Sequence, residues 1–407
     1  MRIAYVCHYF VPEPAAPAAR VHEFSRAWVR AGHRVSVVTT FPNHPVGRVP
    51  DMYRGRWWAT EWLDGIRVLR CWVYAVPNRG VGRRGLDHLS FMLSSLLLGL
   101  PRLGGPDVVV ASSPTLFSAL SAWLMARLLG VPFVLEVRDL WPEAILDLSL
   151  MRPGPAVEVL RRLARFLYDR AQCVVLVTHA FADRLVAQGV PRDKLCVIPN
   201  GADVRFFSPD AGGLAARARL GFHPEQFVVG YVGSHGVSHG LDAVLDAASL
   251  QPDVCYLLVG DGAERDRLLA ERDRRGLTNV RMLPSVARSE VPGLYAAVDV
   301  CLVPLRDVPL FETFVPSKLF EVLAAGRPII GAVRGEARDI LRRSGAALLV
   351  EPGNGAAIAE AAEHLRADPA LRDALARQGR AFVAQHYDRD ALASRYLDLL
   401  REVVVRA

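Results

Sequence analysis

The sequence predicts an α/β protein built from two doubly wound, parallel-sheet domains. Three observations carry that reading. Short apolar, β-branched runs recur along the chain, each with a turn and a segment of helical spacing beside it. Strands buried on both faces read as near-continuous hydrophobic runs, and their alternation with helices is the pattern of parallel sheets. The alternation lapses once, over RFFSPDAGGLAARARLGF (205–222), where Ser208-Pro209 and Gly212-Gly213 mark a connection, and then resumes. Finally, 51% of the 407 residues are hydrophobic and 22% charged. That supplies large cores and excludes disordered, collagen-like and small disulfide-stapled classes.

Taken in order, RIAYVCHYF is the first strand, and Phe24, Ala27, Trp28 and Ala31 then recur at helical spacing until Gly32-His33 stops the helix. VSVVTT, PDVVVASS, PFVLEVRD and CVVLVTHA follow as strands. Beyond the connection, FVVGYVGS, VCYLLVGDG, NVRMLP, VDVCLVPL, RPIIGAV and AALLVEP supply six more. The expected domains are 1–204 and 205–388, with a last helix (389–407) long enough to cross back onto the first domain. The chain begins directly in a strand, with no charged leader or cleavage site, so no secretory signal is expected. LDHLSFMLSSLLLGLPRL (86–103) is interrupted by Asp87, His88, Pro101 and Arg102. The clean apolar stretch is shorter than the ~20 residues of a membrane span, and a buried or interfacial helix is expected. Cys7, Cys71, Cys173, Cys196, Cys255 and Cys301 mostly lie in or beside apolar runs without C-x-x-C spacing and read as buried thiols of a reducing compartment.

The net charge of +7 is unevenly placed. Through Arg205 there are 25 basic and 16 acidic residues, a balance of +9; the remaining 24 basic and 26 acidic residues give −2. The front half therefore suits an anionic partner, and Arg79, Arg83, Arg84 and Arg102 flank the 86–103 stretch. Basic residues do not alternate with aromatics on any one element, which argues against nucleic acid. Only two of the 49 cations are lysines, Lys194 and Lys318.

Ligands of open parallel sheets bind at the carboxyl ends of strands, and four segments there carry chemistry. In VGSHGVSH (232–239), Gly233 and Gly236 punctuate a strand-to-helix turn that either brings backbone N–H groups to a phosphate or is simply tight. In VGDGAERDRLL, Gly260 and Gly262 flank Asp261, with the same two readings. In FETFVPSKLFEVLAAGRPII, Pro316 and Ser317 begin a helix, with Ser able to cap. Lys318 in its first turn opposes the helix dipole unless an anion sits in front. The alternative is an intrahelical pair with Glu321. In LEVRDLWPEAI, a strand delivers Arg138 and Asp139 beside Trp141, as a sugar or phosphate site or as a loop ion pair.

In this order HYFVPEPAAPAAR, EVRDLWPE, VIPNGAD, VGSHG, LLVGDGAERDRL and PSKLFEVLAAGRPII resemble the retaining glycosyltransferases of family four, over essentially the whole chain. The pattern is closest to bacterial O-antigen and capsule enzymes that transfer N-acetylfucosamine-type sugars. The resemblance implies a GT-B fold, two Rossmann-like domains with a cleft between them. The second would hold a nucleotide-sugar donor, UDP-linked in preference to GDP-linked, and the first a saccharide or lipid-linked acceptor. Donor contacts fall on Gly233, Ser234, His235, Gly260, Gly262, Ser317, Lys318 and Glu321. Glu321 takes the place of the second Glu of E-x7-E, which bonds the ribose, and the diphosphate lies beside Ser317 and Lys318. The first Glu of that motif would fall at Thr313; Glu312 is the nearby carboxylate. Glu13, Arg20, Arg138 and Trp141 fall on the acceptor side, with Asp139 and Lys318 as catalytic candidates. The sequence departs from the family where Ser234, His235 and His239 replace its usual Arg and Lys. It departs again at Ala16-Pro17-Ala18-Ala19-Arg20, where many members carry Gly-Gly, and at Arg138-Asp139, where they carry His-Asp. Lys318 would then take over phosphate charge supplied elsewhere in relatives.

No metal cofactor is expected, because the one D-x-D match, Asp388-Arg389-Asp390, lies at a helix start remote from the donor segments and reads as capping. Lys318, backbone amides and His235 or Arg20 would stabilise the leaving diphosphate. Retention implies that the departing phosphate oxygen accepts the acceptor's proton while Asp139 orients a sugar. A nucleotide-sugar 2-epimerase of the same fold and a non-catalytic nucleotide-sugar-binding subunit are the alternatives. The expected location is cytoplasmic, with peripheral contact to the inner face of the cytoplasmic membrane.

Overall fold

The computed structural model describes residues 1–13, 16–44, 46–76, 81–113, 115–143, 146 and 153–407. Arg79 and part of the first loop lie outside the described residues. The chain forms two compact units, one of Met1–Pro199 with Asp390–Ala407, the other of Asn200–Arg389.

The first unit is built on β1 (Arg2–Val6), β2 (Arg34–Thr40), β3 (Trp58–Leu63), β4 (Ile66–Cys71), β5 (Val108–Ser112), β6 (Phe133–Val137), β7 (Cys173–Leu176) and β8 (Leu195–Val197). They order as β3-β4-β2-β1-β5-β6-β7-β8. Ile3 stands in parallel register with both Val35 and Val108, so β1 sits inside the sheet and is buried on both faces. β3 and β4 alone pair antiparallel, through a tight turn in which Asp64 and Gly65 both take left-handed backbone (φ 49° and 77°). This hairpin is absent from the sequence reading: WATEWL is rich in tryptophan and half exposed, so it lacks the apolar run that marked the inner strands.

The C-terminal helix Arg389–Arg406 belongs to the first unit from Asp390 onward. Leu392, Tyr396 and Leu400 join Phe24 and Trp28 in one buried cluster. The Trp28 indole N–H donates to the Ala393 carbonyl at 2.9 Å, and its ring meets Tyr396 edge-on at 5.3 Å.

The second unit carries β9 (Val228–Val232), β10 (Cys255–Val259), β11 (Val280–Leu283), β12 (Val300–Pro304), β13 (Ile329–Ala332) and β14 (Ala347–Val350), in the order β11-β10-β9-β12-β13-β14. Every pairing is parallel. Order reverses at β9, between β10 and β12, the topological switch at which such sheets bind ligands. The 205–222 stretch is not a linker. Residues Gly213–Arg219 are helical, a Cβ on Gly213 would strike the Ala296 carbonyl, and Arg217 bonds both Ala297 O and Asp299. The division falls instead at Pro199/Asn200 and Arg389/Asp390, because Ala202 donates to the Tyr387 carbonyl and bridges in parallel to Asp388.

The 86–103 stretch is a helix, Val81–Ser94, continued by a π turn to Gly99 and a 3-10 turn to Arg102. Phe91, Asp87 and His88 face inward. Among the described residues, no helix is long and apolar enough to cross a membrane. All six cysteines are free thiols, five of them buried.

Candidate functional site

In the second unit the loops after β9 and β10 interlock. Gly233 N donates to Val259 O, His235 N to Asp261 O and Glu264 N to His235 O, all at 2.9 Å. The approach is close enough to require glycine. Gly260 holds φ at 151°, and a Cβ there would overlap the Gly233 carbonyl; one on Gly262 would overlap His235 backbone. Gly260 and Gly262 are therefore explained first by loop-on-loop packing. Asp261, between them, accepts from Ser285 N and Oγ and pairs with Arg265 at 3.2 Å. The Ser285 hydrogen bonds hold its carboxyl below the usual range.

Against these loops stands helix Ser317–Ala324. Its N-cap is Pro316, with no side-chain cap bond, so Ser317 is the first helical residue and does not cap as the sequence suggested. Lys318 follows, only 9% exposed, with its Nζ 3.6 Å from the centroid of the Tyr231 ring. A Cβ on Gly233 would run into that same ammonium. The expected alternative, an ion pair with Glu321, does not form: Glu321 turns to Arg288 at 3.5 Å and accepts from Tyr295 Oη at 3.5 Å. Burial pushes the Glu321 carboxyl up. It also pushes the Lys318 amine down to about 7, with Glu321 opposing. The contrast with Lys194 is direct, since that ammonium donates to the Tyr168 and Asp169 carbonyls at the end of helix Pro155–Arg170.

Two imidazoles complete the pocket. His235 is fully buried, with ring centroid 5.9 Å from Tyr231, and His239 lies at the same distance from Tyr231. Burial, reinforced by Lys318, lowers them to about 4 and about 3, so both are neutral at pH 7. Lys318 Nζ, both His235 ring nitrogens and His239 Nδ1 have no hydrogen-bond partner in the protein. Four orphaned polar atoms converging at strand ends are costly to leave dry, and an anionic ligand would satisfy the donors among them, Lys318 Nζ and the protonated nitrogen of His235. Ser234 is exposed beside them, its carbonyl accepting from Tyr231 Oη at 2.5 Å. Glu312 is exposed in the 3-10 turn Pro309–Thr313, where a Cβ on Gly335 would strike its carbonyl.

The first-unit candidates divide. Arg20 is 3% exposed and wholly committed internally: it pairs with Glu136 at 3.1 Å and donates to Pro199 O and Ile198 O at 2.6 and 2.8 Å. In this arrangement the guanidinium compensates a buried carboxylate and fastens the end of β8. Glu13 likewise organises its loop, accepting from the N–H groups of Phe10, Asn43 and His44. Arg138 and Asp139 do stand together past the end of β6, burial lowering the first and raising the second. Trp141 is half-buried next to them, its N–H donating to Asp139 O. Asp390 pairs with Arg30 at 2.7 Å, a structural role.

Tyr231, Arg288 and Tyr295 were missed. The two tyrosines sit within apolar runs where nothing separates them from core residues, and Arg288 is one arginine among many. His239 was legible as a departure but was not assigned a role.

Comparison with known proteins agrees with this geometry. Residues 16–201 match the glycosyl transferase 4-like domain and residues 226–368 the glycosyl transferases group 1 domain. A putative colanic acid biosynthesis glycosyl transferase of Escherichia coli is 29% identical over 74% of this chain and 75% of its own length. A D-inositol 3-phosphate glycosyltransferase of Xylanimonas cellulosilytica is 27% identical over 95% and 91%. Among solved structures, sucrose-phosphate synthase of Thermosynechococcus elongatus superimposes with a TM-score of 0.79 at 21% identity, covering 100% of both chains. Anabaena HepE in complex with UDP and glucose gives 0.73 at 19%, covering 99% and 100%. With the two domain matches spanning most of the chain and the fold shared end to end, the protein belongs to the family-four glycosyltransferases of GT-B fold and is an enzyme of polysaccharide or glycoconjugate biosynthesis.

Proposed function

We propose that the enzyme transfers a sugar, an N-acetylated hexose or deoxyhexose, from a UDP-linked donor to a saccharide or lipid-linked acceptor with retention of configuration and without a divalent metal. The observation that carries the reading is the pair Lys318 and His235, buried and without a hydrogen bond from their side-chain nitrogens, beside part-buried His239 at the switch point of the second sheet. HepE binds UDP, glucose and UDP-glucose, which supports a nucleotide-sugar donor here.

The diphosphate lies in front of helix Ser317–Ala324, where Lys318 and backbone N–H groups meet charge that grows as the glycosidic bond breaks. Bound anion returns the Lys318 amine to its charged form, and neutral His235 donates a hydrogen bond, while the one N–H of His239 is held by the Pro304 backbone. Glu321 holds the ribose. The leaving phosphate oxygen takes the acceptor hydroxyl's proton, so no base of the protein and no covalent sugar–enzyme bond are required, and Asp139 orients a sugar. Negative charge is met by cations and imidazole N–H groups, a set that needs no metal. The test is a nucleotide-sugar panel scored by thermal shift, followed by transfer with the stabilising donor and assignment of the anomeric product. Inversion, or loss of activity on chelation that Mg²⁺ or Mn²⁺ restores, would overturn the mechanism.

Peripheral membrane contact is proposed for the first unit. Leu86, Leu89, Leu93 and Leu97 recur at helical spacing yet are 36–72% exposed. Trp72 and Tyr74 adjoin them, the Trp72 carbonyl accepting from Ser94 Oγ and Tyr74 N donating to Ser90 Oγ. Arg83, Arg84 and Arg102 flank this surface, and each basic residue near anionic lipid contributes about 1 kcal/mol. Salt-sensitive co-sedimentation with anionic vesicles, weakened by Arg→Gln, is expected; sedimentation indifferent to both would count against it.

A further inference from the structure

A second cluster of buried chemistry lies in the first unit, where the loop just past the end of β1 meets the inward face of helix Val81–Ser94. His8 and His88 are 1% and 6% exposed and Asp87 is 5% exposed. Their ligating atoms all lie within 4.8 Å of one another. His8 Nε2 stands 3.3 Å from Asp87 Oδ1, within ion-pair distance but not aligned as a hydrogen bond. His8 Nδ1 and Nε2, Asp87 Oδ1 and His88 Nε2 are all without a hydrogen-bond partner. The rings of His8 and His88 meet edge-on at 4.8 Å, and Phe91 closes the other side of His8 at 5.3 Å. An apolar wall around two imidazoles and a carboxylate oxygen that accepts no hydrogen bond is unfavourable as a dry arrangement.

A divalent cation removes that difficulty. Metal–nitrogen and metal–oxygen bonds of about 2.0–2.2 Å in a tetrahedral site set ligand atoms roughly 3.3–3.6 Å apart. The His8–Asp87 edge already has that length, and the remaining edges close by modest side-chain rotation. We propose that His8, Asp87 and His88 form a binding site for a late first-row divalent cation, Zn²⁺ above all, that fixes helix Val81–Ser94 to the loop following β1. Two imidazoles with one carboxylate suit zinc or cobalt and not the all-oxygen preferences of Mg²⁺ and Ca²⁺. The Tyr9 ring meets His8 edge-on at 4.8 Å, and His44 meets Tyr9 at 5.1 Å. The role is structural, separate from the leaving-group chemistry of the second unit. Activity lost on chelation and restored by Zn²⁺ but not by Mg²⁺ would report this site and leave the metal-free transfer step standing.

The test uses the full chain, stripped by dialysis against a chelator and titrated with Co²⁺ while visible absorption is followed, and with Zn²⁺ against a chromophoric competitor. One equivalent is expected, with the intense bands of a low-symmetry four-coordinate Co²⁺ and a Zn²⁺-dependent rise in thermal midpoint. Asp87→Asn and His88→Gln should each weaken Zn²⁺ by about tenfold or more, while His386→Gln, an exposed histidine of the second unit, should leave it unchanged. Should either single variant fail to fold, His8→Gln supplies the same test. Failure to bind one equivalent, or binding that survives Asp87→Asn combined with His88→Gln, overturns the proposal.

Discussion

Replacing Lys318 by Met separates a catalytic lysine from a structural one, because the two roles give opposite changes in stability. The side chain is 9% exposed, its Nζ has no hydrogen-bond partner, and burial lowers its pKa from 10.5 to about 7. At about 1.4 kcal/mol per pKa unit that is roughly 5 kcal/mol of uncompensated desolvation. Contact with the Tyr231 face, 3.6 Å away, returns about 2 kcal/mol, leaving a net cost of about 3. Methionine keeps the bulk and drops the charge. The unliganded Lys318→Met enzyme should therefore unfold several degrees above wild type.

The pH dependence has a definite sign. Between about 7 and 10.5 the unfolded chain holds a proton on Lys318 that the folded chain has released, so wild-type stability rises with pH across that window. The gain from Lys318→Met is accordingly full below about pH 7 and vanishes towards 10.5. Turnover moves the other way: with saturating donor, kcat should fall about 10²–10³-fold, the usual loss for one preorganised stabiliser of developing charge. Lys318→Arg should recover only part of it, since a planar fork replaces a point charge. Thermal melts of unliganded protein at several pH values, paired with steady-state kinetics, decide the matter. A variant less stable than wild type at pH 7, with kcat within about threefold of normal, would refute the reasoning.

Three further outcomes follow from named contacts. Glu321→Gln should raise the donor KM about tenfold with little change in kcat or stability, because its Arg288 partner is 41% exposed and such a pair contributes under about 1 kcal/mol; a kcat-only effect in initial-rate assays would contradict ribose binding. Gly260→Ala should destabilise the second unit by about 2 kcal/mol or more in urea titrations, since the new Cβ meets the Gly233 carbonyl at a φ of 151°; an unchanged midpoint would sink the packing argument. Arg20→Gln should cost about 3–5 kcal/mol of stability by stranding the fully buried Glu136 carboxylate; full stability combined with a raised acceptor KM would place Arg20 at the acceptor site.

The sequence by itself determined the two parallel sheets, their inner strands and the three loops of the donor site. These are properties of short contiguous segments: a β-branched apolar run of strand length, repeated in alternation with helical segments, marks a doubly covered strand, and a glycine cluster at its end marks a close turn. It also marked Lys318, because an ammonium in a helix's first turn is unfavourable without an anion. Only the tertiary structure decided which candidates find hydrogen-bond partners within the protein and which are left without one. Arg20 and Lys318 look alike as isolated cations, yet one finds Glu136 at a sequence separation of 116 residues and is satisfied, while the other finds an aromatic face and no hydrogen bond. The same holds for Tyr231, indistinguishable in sequence from any core tyrosine until His235, His239 and Lys318 gather around its ring. His8 meets Asp87 and His88 only because the loop after β1 and helix Val81–Ser94 come together across the fold. Hydrogen-bond satisfaction is a property of three-dimensional neighbours, and residue type and spacing along the chain do not encode which buried polar group will be left without one.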